Sequence, residues 1–151
     1  MAILFAFLHH LAAFTLFAAL VVEFVLLKSA LTVENARRII FADMMLGISA
    51  GVLLLVGLGR VFHFEKGATY YFHTWTFIAK LSLFILLGLA SIIPTIEFLR
   101  WRSAVKAGQV PTVSADKIRS VRMIVHLELA GIALILLFAA MMAKGVGLMM
   151  G

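Results

Sequence analysis

The chain has 151 residues, 64% of them hydrophobic and 13% charged, with a formal net charge of +6. A soluble domain of this length has too little interior to hide that much apolar surface, which excludes an ordinary water-soluble enzyme. Cysteine is absent, so disulfides, thiolate catalysis, cysteine-bound zinc and iron–sulfur clusters are excluded as well.

Four apolar segments follow one another. The first runs from about Ala2 to Leu27. It lacks a basic start and exceeds the length of a signal-peptide core, so it is read as a span. His9, Leu16 and Glu23 recur in it at intervals of seven and share one helical face, with Ala12, Ala13 and Ala19 close by. The second runs from about Phe41 to Phe62 and carries a stripe of Asp43, Gly47, Ala50, Gly51, Leu54 and Gly57. Gly47 and Gly51 form a GxxxG pattern, which predicts close helix approach or room for a flat ligand. Arg60 and His63 end this segment.

The third segment runs from about Trp75 to Phe98, and the fourth from about Val121 to Ala143. His73 and Lys80 are seven apart, and the helical repeat aligns Lys80 with Leu87, Gly88, Ser91 and Pro94. Lys80 is therefore expected to face the interior; the alternative is a lysine that snorkels to the interface. Pro94 is expected to bend the helix. Each segment exceeds the ~20 residues that a helix needs to cross hydrocarbon. Lipid offers no partners to backbone groups, so four helices follow. The predicted fold is all-α: a single domain forming an integral membrane four-helix bundle.

Loop charge predicts orientation. Lys28, Arg37, Arg38, Arg100, Arg102, Lys106, Lys117, Arg119 and Arg122 lie between the first and second or third and fourth spans, nine basic residues on one side. Arg60, Lys66 and Lys144 lie on the other. The positive-inside rule then places both termini in the periplasm of a bacterial inner membrane. The basic third loop is read as an anchor on anionic lipid headgroups, and no nucleic-acid partner is expected.

Ionisable residues inside the spans fall into two layers. His9, His10, Arg60, His63, His73 and Lys80 lie towards the side of the termini, and Glu23, Asp43, Glu97, His126 and Glu128 towards the other. Such groups are costly in lipid and generally face the bundle interior. Structural roles compete with functional ones: Asp43 as a cap of the second helix or a partner of Arg37 or Arg38, His126 as a bundle histidine, and Tyr70, Tyr71, Trp75 and Trp101 as an interfacial aromatic belt. The first layer, taken jointly, suits a tetrapyrrole. His9 or His10 would supply the axial nitrogen, Arg60, His73 and Lys80 would complete the site, and Gly and Ala would admit the ring. No CxxCH occurs, so haem would be held non-covalently.

The stretches FLHHLAAFTLFAALVVE, SAGVLLLVGLGRVFHFEKGATYYFH and AKLSLFILLGLASIIPTIEFLRWR together resemble a family of four-helix bacterial membrane proteins of unknown function. More distantly, the order of features is similar to the HemJ-type protoporphyrinogen oxidases. His9 or His10 matches that family's first-span histidine, and Trp75 with Lys80–Leu81 matches its third-span motif at a longer spacing. Ile78 stands where that motif has a histidine. The resemblance implies haem b and porphyrin redox chemistry.

Three functions are therefore expected to compete. The first is a redox membrane protein that binds haem b or a porphyrin, with quinone as electron acceptor. The second is a structural or regulatory subunit that packs through its glycine faces, in a homo-oligomer or with another protein. The third is a proton-coupled carrier using the carboxylate layer. Against the third, no span has a charge at its middle or a paired break.

Overall fold

The computed structural model describes residues 1–64 and 66–148. Glu65, inside the RVFHFEKGATYYFH stretch, lies outside the described residues, as do the last three. Among the described residues there are five α-helices and one π-helical turn: α1 (Ala2–Lys28), α2 (Val33–Gly59), the π turn (Arg60–Phe64), α3 (Ala68–Phe72), α4 (Trp75–Lys106) and α5 (Ala115–Ala143). Helices α1, α2, α4 and α5 are each long and apolar enough to cross a membrane. The chain is an all-α membrane protein, as its hydropathy requires.

The helices outrun the predicted spans. Thr32 caps α2 by accepting a 3.1 Å hydrogen bond from the Asn35 backbone N–H, and Ser114 caps α5 by accepting one of 3.2 Å from Lys117. Glu34 and Asp116 in the first turns complement the helix dipoles. Helix α4 continues past Phe98 to Lys106, and runs through Pro94 without interruption. Hydropathy marks where lipid ends, not where a helix ends; Arg, Lys and Glu carry the helix onwards because they are good helix formers in water. Of the nine basic residues expected on the side of the 29–32 and 107–114 connections, all but Lys28 at the end of α1 therefore sit on α2, α4 and α5.

Around the bundle the order is α1, α2, α4, α5, with each helix packed on its two sequence neighbours and α5 closing on α1. The main core lies towards the 29–32 and 107–114 connections. Leu16, Leu20, Ile39, Leu46, Phe98, Trp101, Val121 and Val125 form its centre. Trp101, expected in the aromatic belt, is instead only 2% exposed and donates a 3.1 Å hydrogen bond to Glu97. The α4 extension beyond the predicted span carries it into the core. At the other end a smaller cluster of Val61, Tyr71 and Phe77 leaves the bundle more open.

Glycine packing differs from the expected pattern. A Cβ at Gly47 or Gly51 would meet nothing within 4 Å, so the GxxxG pair makes no close contact among the described residues. The close approach belongs to Gly131 on α5, where a Cβ would lie 2.5 Å from Leu87 Cδ1 on α4. At the open end, the Trp75 backbone N–H donates to the Gly147 carbonyl at 2.9 Å, and the Thr76 hydroxyl to Val146 at 3.1 Å. These bonds tie the chain after α5 to the start of α4.

Candidate functional site

The α1 face drawn from the seven-residue repeat is present: Ala12, Leu16, Ala19 and Glu23 are buried along it, and His9 is half-buried at its end. Beside His9 the bundle opens into a cleft of about 220 Å³. Its polar lining is His9 from α1, Arg60 from the π turn, Tyr71 from α3 and Lys80 from α4. Leu53, Leu54, Phe77, Phe84 and Ile135 are among the residues that make the walls apolar. Gly57 seats the imidazole: a Cβ there would lie 3.4 Å from His9 Cε1 and 3.6 Å from Nδ1. The Lys80 ammonium lies 5.4 Å from the Phe77 ring centroid, within cation–π range.

Of the five site residues expected from sequence, His9, Arg60 and Lys80 line this one cleft. His10 does not. It is exposed, and its Nδ1 is 2.7 Å from the Ala6 carbonyl one turn back. The 100° turn between adjacent helical residues sends the two rings apart, edge to face with centroids 6.1 Å apart. His73 is likewise exposed, its Nδ1 2.7 Å from the Thr69 carbonyl. Its expected alignment with Lys80 fails because the two are not on one helix: His73 ends α3, and α4 starts at Trp75. His63 is exposed within the π turn.

Tyr71, assigned to the aromatic belt from sequence, is buried and lines the cleft. Only the turn made by α3 brings it there, and a five-residue helix leaves no periodic signal. Gly57 was visible as one of several glycines, but nothing in the sequence paired it with His9. Among the described residues no three His, Asp or Glu side chains are grouped so as to hold a metal ion.

The carboxylate layer is partly bundled and partly not. Glu23, Asp43 and Glu128 are buried from three different helices. Asp43 neither caps α2 nor pairs with Arg37 or Arg38; Thr95 donates a 2.8 Å hydrogen bond to it, and both arginines pair with Glu34. Glu97 is buried as well, but exposed bases reach it, Arg100 at 3.7 Å and Lys117 at 3.8 Å. His126 is exposed, its ring tilted on Phe24 at 5.5 Å.

Four apolar helices and a chain matched almost throughout decide the family. The chain belongs to the family described as "Predicted membrane protein (DUF2214)", whose model matches residues 1–147. That description names a membrane location and no activity. No curated protein and no solved structure matches the chain. The family match covers both polar layers, the His9 cleft and the buried carboxylates alike.

Proposed function

We propose that this family member is a bacterial inner-membrane protein, with both termini periplasmic, that holds b-type haem or a porphyrin in the His9 cleft for redox chemistry. The observation that carries this reading is the meeting of an imidazole, a guanidinium and an ammonium around one apolar cleft. A tetrapyrrole asks for a nitrogen at its metal, an apolar slot for its ring and cations for its carboxylates. His9 answers the first demand, the aliphatic and aromatic walls the second, and Arg60 and Lys80 the third. Among the described residues His9 is the one histidine of the lining, so it is the axial candidate. The bound group would supply one-electron chemistry. The protein would orient it: Gly57 seats the imidazole, and the two cations set which edge of the ring faces the end of the bundle where the termini lie.

The cleft volume favours a second reading. About 220 Å³ is below the ~300–1,000 Å³ usual for drug-sized ligands, a size that suits a quinone head better than a full macrocycle.

Absorption spectra of protein purified in mild detergent, after expression with haem precursor, test the proposal. Wild type is expected to show a Soret band that His9→Ala abolishes and His10→Ala and His73→Ala retain. Lys80→Met is expected to lower occupancy while helix content is unchanged. A wild-type protein without a Soret band, or a His9→Ala protein that keeps it in full, overturns haem binding. Saturable quinone-analogue binding in such a colourless protein supports the second reading.

A further inference from the structure

The other half of the bundle holds a polar group that the cleft does not use. Glu23 is wholly buried, and among the described residues neither of its carboxylate oxygens has a hydrogen-bond partner. The charged groups acting on it are Asp43 and Glu128, both acids. Glu128 is 4% exposed, and its Oε2 also has no hydrogen-bond partner among the described residues. It lines a second cavity of about 220 Å³, bordered by Ser91 and Thr95 and by Gly47 and Gly88. Ser91 borders the same cavity as Glu128, and Thr95 donates to Asp43.

Among the described residues no base compensates these acids. On α1, Lys28 lies over the Phe24 ring at 4.2 Å, at the helix end. On α2, Arg37 and Arg38 hold Glu34 in the exposed first turns. From α4, the groups facing the acids are the hydroxyls of Ser91 and Thr95, while Glu97 is bound to Trp101, Arg100 and Lys117. On α5, His126 is exposed against Phe24, and Arg122 is ~9 Å along the axis from Glu128 towards the loop.

Three buried carboxylates cannot all stay ionised with no counter-charge and a single hydroxyl donor, that of Thr95 to Asp43, because each uncompensated charge costs roughly several kcal/mol in a low-dielectric interior. A metal is not indicated, since no metal-binding group exists among the described residues. We propose that Glu23, Glu128 and Asp43 form a buried proton-binding site, which exchanges protons with water through the cavity beside Glu128. The step is the simple one: a carboxylate oxygen takes a proton from water and returns it, with no other bond changed. The cavity suits it, because Glu128, Ser91 and Thr95 border it together and offer a water polar partners. Phe84 lines both this cavity and the His9 cleft, so the site borders the space where a ligand would sit. The proposal holds whatever the cleft binds.

Infrared spectroscopy of the full chain in detergent tests it. At neutral pH the wild type is expected to show a protonated-carboxyl stretch that shifts in D₂O and disappears when bulk pH is raised. Glu23→Gln and Glu128→Gln are each expected to lose part of that band with helix content retained. Absence of the band in wild type, or its full persistence in both folded variants, overturns the proposal. Loss of the band on adding sodium or potassium at constant pH assigns the site to a metal cation and also overturns it. The wild-type titration and isotope shift need no variant, so a misfolded mutant leaves the test intact.

Discussion

The imidazole of His9 on α1 lies against the bare Cα of Gly57 on α2, where an added methyl would stand 3.4 Å from Cε1. This contact is what turns one of two adjacent histidines into the cleft. Gly57→Ala is expected to be tolerated, with the ring yielding by a few tenths of an ångström. Gly57→Leu overpacks the same space. A cost of ~1–3 kcal/mol is expected, or roughly 5- to 150-fold weaker ligand binding. Haem titration followed by difference spectroscopy measures it. Equal affinity in Gly57→Leu and wild type would show that His9 is not held by this contact.

The Thr95–Asp43 hydrogen bond joins α4 to α2 inside the bundle at 2.8 Å. Thr95→Val keeps the shape but removes the donor, leaving Asp43 Oδ1 without it. A loss of ~1–2 kcal/mol is expected, more than the ~0.6 kcal/mol average for hydrogen bonds between membrane helices, because the stranded acceptor is a carboxyl. Thermal unfolding in detergent measures it. Thr95→Ser should retain most of the stability, and a Thr95→Val protein as stable as wild type would count against the bond.

Glycine substitutions should separate the two glycine patterns. Gly131→Val drives side-chain atoms into Leu87 and is expected to destabilise by ~1–3 kcal/mol. Adding Leu87→Ala should restore part of that loss, since Leu87 is what the new side chain strikes. Gly51→Ala meets nothing within 4 Å and is expected to change stability by less than ~0.5 kcal/mol. The unfolding midpoints of the three proteins, compared in one detergent, check this order.

Orientation follows from charge and is checked by reporter fusion. Nine basic residues flank the 29–32 and 107–114 connections, against three, Arg60, Lys66 and Lys144, outside the long helices at the opposite end. A C-terminal alkaline phosphatase fusion is therefore expected to be active and a C-terminal fluorescent-protein fusion dark. The reverse pattern would invert the topology.

By itself the sequence determined the four spans, the all-α class and the shared side of the two termini, because length in lipid and backbone satisfaction are local demands. It also determined the inward face of α1, since the repeat through His9, Leu16 and Glu23 depends only on helical geometry. The choice between His9 and His10 was not legible, because it depends on how α1 is rotated against Gly57 of another helix. Nor was the partner of Asp43, which lies 52 residues away. Arg37 and Arg38 were the nearer candidates, but Glu34 on their own helix captured both. His73 and Lys80 looked aligned only under the assumption of one continuous helix; the break before Trp75 removed it. Helix rotation and breaks of this kind are settled by contacts between distant segments. The tertiary structure therefore decided which of the polar residues, each costly in lipid, gathered at the cleft, which joined the carboxylates, and which turned away.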